Sequence, residues 1–337
     1  MLSVAVMGFR HAHIYDLIER IETHPHLNLV AVCEEDEATR TQVEERNLCE
    51  KVFASYAEML DSVSCDVIGV GDFYGKRGAI IIEALRRGKH VLSDKPICTS
   101  LEELNEIEKL VSQSNLSVGC QFDIRDNGSF RALRQVVAKG VLGDVRAVHF
   151  GGQHPLMRGS RAGWYFEKGM HGGTINDIAI HAFDFLPWIT GLNFSTIHCA
   201  RSWNAGLPDV PHFKNAAQMM MSLENGCGVT GDVSYFSPDS HGYTLPYYWR
   251  TTIWGANGVA ETYFGAPGVM VFENGAEPNF MPPEAGNPGG YLQHFIAEIS
   301  GGQLEDHLTT RGVLRASRVA LQAQQAADIR SRDVNCD

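Results

Sequence analysis

Short apolar runs and amphipathic stretches alternate along the first third of the chain. Leu2–Met7, Leu29–Cys33, Val52-Phe53, Val67–Val70, His90–Leu92 and Val118–Gln121 are strand-like and mostly apolar. Continuous rather than alternating apolarity marks strands buried on both faces. Helical segments lie between them. In His11–Thr23 the residues Ile14, Leu17, Ile18 and Ile21 fall on one face. Glu37–Arg46 is polar and helix-prone, Tyr56–Leu60 reads as a short helix, and Gly78–Arg87 is a helix stopped by Gly88. Leu101–Ser112 is a helix that Ser100 or Thr99 caps. Strands alternating with helices predict a parallel sheet with helices on both faces.

The pattern changes after about Gly140. Val145–Phe150, Thr196–Arg201, Ala217–Leu223, Gly228–Tyr235, Arg250–Trp254 and Val269–Phe272 alternate in polarity or carry β-branched residues. Glu224-Asn225-Gly226 and Ala256-Asn257-Gly258 read as hairpin turns. One helix is expected at about Thr174–Thr190, and the tail from Tyr291 to Ile329 is helical with a break at Gly301-Gly302. Gly265–Asn287 is rich in glycine and proline and reads as a loop. No internal repeat is visible. The expected organisation is α/β: a domain built on a parallel sheet over residues 1–122, then an α+β domain over 123–337. The second domain carries a mostly antiparallel sheet, and its C-terminal helix is expected to pack back on the first.

Composition narrows the function. The 337 residues are 44% hydrophobic and 20% charged, with a formal charge of -12, so the chain is globular and acidic. An acidic chain without a basic run is a poor partner for nucleic acid or an anionic membrane. The stretch Met1–Met7 lacks the basic start and cleavage site of a secretory signal, and no apolar run is long enough to span a bilayer. The eight cysteines are scattered, without a CxxC pair. They predict reduced thiols in a cytoplasmic protein and no structural zinc.

The first strand runs into Gly8-Phe9-Arg10-His11-Ala12-His13 and then a helix, the place where a dinucleotide fold sets its phosphate turn. The helix start offers free N–H groups and positive potential to a pyrophosphate. Gly8, Phe9, Arg10 and His11 are therefore candidate cofactor contacts. Arg10 and His13 occupy the later glycine positions of the fingerprint. The second strand ends in Glu34, followed by Glu35 and Asp36. A carboxylate there accepts from ribose hydroxyls and repels a 2′-phosphate, which favours NAD over NADP.

Gly88-Lys89-His90-Val91-Leu92-Ser93-Asp94-Lys95-Pro96 resembles the GKHVxxEKP signature of the Gfo/Idh/MocA oxidoreductases, with Asp94 in place of the glutamate. Gly172-Gly173-Thr174-Ile175-Asn176-Asp177-Ile178-Ala179-Ile180-His181-Ala182-Phe183-Asp184 resembles the family's GGxxxDxxxHxxD. Lys139-Gly140-Val141-Leu142-Gly143-Asp144-Val145 is a weaker match to its GxLGxI turn. The resemblance covers the whole chain in order. It implies a Rossmann dinucleotide-binding domain followed by an α/β domain with a large open sheet. It also implies NAD(H) or NADP(H), a sugar, polyol or related substrate, and pairing of subunits through the open sheet into a homodimer or homotetramer. By position, Lys95, Asp177 and His181 take the catalytic roles. Gly71, Asp72 and Asp94, with Lys95, join the cofactor contacts. The family often has T-P-N-x-x-H after the fourth strand. Here Gly71-Asp72-Phe73-Tyr74-Gly75-Lys76-Arg77-Gly78 has neither the proline nor the histidine.

The residues themselves support this chemistry. Asp177 and His181 are four apart on an expected helix and so share a face. Oxidising an alcohol needs a base for its proton, and reduction needs the same group as an acid. His181 is the expected acid/base. Asp177 is expected to orient it and hold a substrate hydroxyl, and Lys95 to polarise the substrate oxygen. His154, Arg158, Trp164 and Tyr165 precede the helix in a stretch rich in aromatic and polar groups, and they are candidate substrate contacts. Asp123 and Arg125 are weaker candidates. His154, His171, Asp177 and His181 include metal-ligand types, but no spacing fixes the first two, and no metal is expected. Two other readings remain open: a redox-neutral lyase or glycosidase with tightly bound NAD, and a non-enzymatic nucleotide sensor.

Overall fold

The computed structural model describes residues 1–246, 248–302, 304 and 306–336. The chain divides into two compact units. One comprises Met1–Gln121, Ala162–Gly172 and Tyr291–Leu314; the other comprises Phe122–Arg161, Gly173–Gly290 and Arg315–Asp337.

The first unit is built on six parallel strands: β1 (Leu2–Met7), β2 (Leu27–Cys33), β3 (Val52–Phe53), β4 (Val67–Val70), β5 (His90–Ser93) and β6 (Val118–Cys120). Their order is β3-β2-β1-β4-β5-β6, a doubly wound sheet whose direction of winding reverses between β1 and β4. The connecting helices are α1 (His13–Thr23), α2 (Glu37–Glu45), α3 (Tyr56–Ser62), α4 (Tyr74–Arg86) and α5 (Leu101–Ser112). The apolar face read from α1 is the buried one: Ile14, Leu17, Ile18 and Ile21 are each at most 2% exposed. Asp36, Ser55 and Ser100 accept from the N–H groups of the first turns of α2, α3 and α5. Helix α4 starts four residues before the expected Gly78, because Tyr74 and Arg77 turn inward and extend its buried face. This places Gly71–Phe73 directly between β4 and the helix.

The second unit holds a nine-stranded sheet. Its strands are β7 (Val145–Pro155), β8 (Phe194–Trp203), β9 (Ala216–Leu223), β10 (Gly228–Ser237), β11 (Thr251–Gly255), β12 (Gly258–Thr262), β13 (Val269–Glu273), β14 (Asn279–Met281) and β15 (Arg332–Asn335). The order is β14-β13-β12-β11-β7-β10-β9-β8-β15, and every pair but β7–β10 is antiparallel. Helices α6 (Gly128–Ala138) and α7 (Ile180–Thr190) pack together through Phe130 and Phe185, whose rings meet edge-on at 4.9 Å. The Phe150 ring lies where a side chain at Gly231 would stand, 2.3 Å from the position of a Cβ there. Strand β14 falls inside the stretch read as a loop, and β15 lies beyond the last helix read from the sequence.

Two further helices, α8 (Gly290–Ile299) and α9 (Thr310–Ile329), reproduce the expected tail with its break. Within the first unit α8 covers β6. The Phe295 ring packs where Gly119 has no side chain, and Thr310 Oγ1 accepts from the Val118 N–H at 3.0 Å, which shields an edge strand. Among the described residues no helix is long and apolar enough to cross a membrane. The eight cysteines are all free, and of them only Cys199 is exposed.

Candidate active site

In the first unit the chemistry gathers at the C-terminal ends of β1, β2, β4 and β5, where open parallel sheets bind their ligands. Gly8 has φ +85°, and a Cβ there would stand 2.4 Å from Asp72 Cβ. Glycine is thus required both by the backbone angle and by the close approach of the β4 loop. Behind it, Glu34 is fully buried. One of its oxygens accepts from the Phe9 N–H at 2.6 Å and the other from the Asp36 N–H at 2.8 Å. Burial pushes the Glu34 carboxyl up, and the two N–H groups oppose the shift. Glu35 is the exposed acid beside it and pairs with Lys76. Arg10 forms two hydrogen bonds to Asp72, at 2.7 and 3.0 Å, and lies 3.8 Å from Glu34 and over the Phe73 ring. A charged side chain therefore fills the middle of the turn, where the fingerprint has a glycine.

Arg77 ties the neighbouring loops together. It is fully buried, and it donates to Asp72 O at 2.7 Å, Lys95 O at 2.5 Å and Asp94 Oδ2 at 2.7 Å. Asp94 also meets His11 Nδ1 at 2.5 Å and His13 Nδ1 at 3.2 Å. Burial favours the neutral acid, but Arg77 and His11 outweigh it and hold the Asp94 carboxyl well below the usual range. Burial holds the His11 imidazolium pKa down at about 4 against the pull of Asp94, so this ring is neutral at pH 7. Lys95 is 5% exposed, follows Asp94 into a cis peptide with Pro96, and lies 5.8 Å from the Tyr74 ring centre.

The segment 162–172 belongs to this unit too. Trp164 Nε1 donates to Arg10 O at 2.9 Å, and the Trp164 and Tyr165 rings stack at 4.1 Å. The Tyr165 hydroxyl meets His11 Nε2 at 2.9 Å and the Tyr74 hydroxyl at 2.8 Å. Trp164 and Tyr165, expected as substrate contacts, are thus buried against the cofactor turn. His171 stands beside both tyrosines, at 5.4 and 5.6 Å between ring centres.

The second unit carries the other motif. Asp177 lies in a wide, π-helical turn, Ile175–Ala179, that leads into α7. It is 2% exposed and accepts a short hydrogen bond from the Tyr235 hydroxyl on β10. His181, on the first turn of α7, packs against Trp249 and Phe122, with Nδ1 3.9 Å from Asp123 Oδ1. Arg125 is taken up by Asp184, at 2.7 and 2.5 Å, which fixes the Asp123 turn against α7. Burial pushes Asp184 up, against Arg125. His154 is buried at the end of β7 among Tyr235, Tyr243, Tyr248 and Trp249. Arg158 instead forms an exposed ion pair with Asp209. Tyr235, Trp249 and Tyr74 carry no local signal that marks them. Tyr235 reaches its place through the register of β10 and Tyr74 through the phase of α4, while Trp249 lies in the turn before β11.

Residues 2–122 match the NAD-binding Rossmann fold of the oxidoreductase family, and residues 130–261 match the GFO/IDH/MocA C-terminal domain. The uncharacterised oxidoreductase YrbE of Bacillus subtilis is 22% identical over 324 residues, 92% of this chain and 89% of that protein. An inositol 2-dehydrogenase/D-chiro-inositol 3-dehydrogenase of Lacticaseibacillus casei is 27% identical over 174 residues, 50% of this chain and 47% of that protein. The chain spans about half the length of most of the curated relatives it matches. A solved structure from Thermotoga maritima has a TM-score of 0.85 at 23% identity and covers 99% of this chain and 100% of its own. An oxidoreductase from Agrobacterium radiobacter, solved with NAD+, L-tartaric acid and magnesium, has a TM-score of 0.81 at 17% identity, covering 99% and 98%. At these identities the structural likeness concerns the fold.

Removing Arg77 tests the knot. Arg77→Met leaves the Asp94 charge buried with only imidazoles beside it, and breaking a buried pair from one side costs about 3–5 kcal/mol. Urea unfolding is expected to show a loss of that size. A loss under about 1 kcal/mol would mean that the pair holds nothing together.

Proposed function

Since the chain belongs to the GFO/IDH/MocA family of NAD-binding oxidoreductases, we propose that it moves a hydride between NAD and a secondary alcohol or ketone carbon of a sugar, polyol or related small molecule. The observation that carries this reading is the pair of motif sites. Lys95 is held on a buried turn at the end of β5, and Asp177 and His181 are seated at the entry to α7 against Tyr235 and Asp123. The polyol substrate class is supported by the inositol dehydrogenase among the relatives.

The residues at the β1–β4 switch point fit a dinucleotide. Gly8 allows close approach, α1 begins beside it, and three acids close the end of β2. Glu34, Glu35 and Asp36 favour NAD over NADP, because a 2′-phosphate would meet their charge. Arg10 stands at the middle glycine position of the fingerprint, held between Asp72 and Glu34. NAD supplies the hydride acceptor, or as NADH the donor. The protein supplies the rest. His181 takes or gives the hydroxyl proton, Asp177 holds a substrate hydroxyl with Tyr235 fixing its carboxylate, and Lys95 polarises the reacting oxygen. Asp123, beside His181, stabilises the imidazolium formed when the ring takes a proton.

Lys95→Met and His181→Ala are each expected to lower kcat by at least about a hundredfold and to leave NADH affinity within about twofold. Near-normal kcat in both would remove the assignment.

The open sheet also leaves large apolar side chains bare. Trp254 is 53% exposed, Phe272 47%, Phe280 46% and Met220 55%. A patch of this kind marks an interface, and we take its partner to be a second copy of the chain in a dimer or tetramer. Light scattering is expected to give a multiple of the 37.2 kDa chain mass, reduced towards one chain by Trp254→Glu. A monomeric wild type would contradict this.

A further inference from the structure

The geometry at the ends of β1 and β5 points to a site that the hydride-transfer reading does not require. We propose that His11, His13 and Asp94 bind a divalent transition-metal ion, with coordination positions left over for oxygens of the substrate.

Three observations carry this. The first is convergence: a ring nitrogen of each histidine and a carboxylate oxygen of Asp94 all lie within 4.8 Å of one another. Two ligand atoms that each stand about 2.1 Å from a tetrahedral ion are about 3.4 Å apart. His13 Nδ1 and Asp94 Oδ1, at 3.2 Å, are already close to that spacing. The two imidazoles meet edge-on with centres 4.4 Å apart, so both can direct nitrogens at one point. His11 Nδ1 needs only a small ring rotation away from Asp94 Oδ2, which it approaches at 2.5 Å.

The second observation is the outer shell. A metal-bound imidazole usually donates its other N–H to a fixed partner, and a ligating carboxylate is itself hydrogen-bonded. Both conditions are met. His11 Nε2 lies 2.9 Å from the Tyr165 hydroxyl, which is locked in turn by Tyr74. Arg77 holds Asp94 Oδ2 and leaves Oδ1, on the His13 side, as the ligand atom.

The third is access. His11 and Asp94 are buried, but the His13 side chain is 57% exposed. Three protein ligands with one side open to solvent is the arrangement of metal sites that act on a substrate rather than hold a fold. Two imidazoles and one carboxylate suit zinc, cobalt(II) or iron(II) and not magnesium, which takes oxygen ligands. The site also accounts for part of the altered turn, since His13 stands at the last glycine position of the fingerprint. An ion there would chelate vicinal hydroxyls, or a hydroxyl and a carboxylate, and polarise the oxygen that gains or loses charge. That role rests on the hydride-transfer reading; the binding itself does not.

The test is a cobalt(II) titration of the full chain, first stripped with chelator and followed by visible absorption. The expected result is the intense d–d band of low-coordinate cobalt, saturating at about one ion per chain and abolished by zinc but not by magnesium. His13→Ala, an exposed change that leaves the buried knot intact, is expected to weaken binding more than about a hundredfold. Tyr165→Phe is expected to weaken it by about tenfold, and His13→Asp to retain it. Absence of the band, or a band untouched by His13→Ala, would overturn the proposal. Neither outcome depends on NADH binding or turnover, so a failure here and a failure of the oxidoreductase reading are separate results.

Discussion

A fully buried guanidinium must find an acceptor for each N–H it carries, and Arg77 finds them on two loops, one after β4 and one after β5. It holds the carbonyl of Asp72 at the end of β4, the carbonyl of Lys95 after β5, and the Asp94 carboxylate. Asp94 in turn holds the two histidines of the turn after β1. Three of the strand ends that form the binding edge of the sheet are thereby fixed by one cation and one anion. The arrangement is stable only while both charges are present, because either alone would be stranded in a medium that solvates it poorly. The position of Lys95, the candidate catalytic residue in this unit, follows from that constraint.

Charge also replaces glycine in the cofactor turn. A glycine-rich turn leaves its backbone N–H groups open. Here the Phe9 N–H is already satisfied by Glu34, and the space is filled by Arg10 between Glu34 and Asp72. Trp164 then covers the Arg10 carbonyl, and Tyr165 reaches His11. The altered turn is therefore not a decayed one. Its side chains form a connected polar network in which nearly every buried group has a named partner, and such networks specify a single geometry.

Much of this organisation was legible in the sequence. Apolar runs alternating with helical faces are enforced by burial on both sides of a parallel sheet, so the strand–helix order and the buried face of α1 could be read directly. The two motifs marked Lys95, Asp177 and His181 as the candidate catalytic groups. Other features were hidden for physical reasons. Arg77 looks like one more charge on an amphipathic helix, and only tertiary packing shows that it points inward, which also moves the start of α4 to Tyr74. Residues 162–172 join the first unit although they lie inside the second domain's sequence, because their anchors are His11, Arg10 and Tyr74, contacts more than 80 residues away with no local signature. Tyr235 meets Asp177 through the register of β10. Asp123 stands beside His181 because Arg125 is drawn to Asp184. The short strands β14 and β15 pair at the sheet edges with too few residues to show a period.

NAD binding by the first unit is the premise of the proposed chemistry. The most direct measurement is the fluorescence of NADH and, separately, NADPH titrated with the purified chain, after a check for cofactor already bound. Saturable binding of NADH is expected, tighter than that of NADPH by more than about tenfold, equivalent to about 1.4 kcal/mol. Tighter binding of NADPH, or binding of neither to a chain that carries no cofactor, would contradict it.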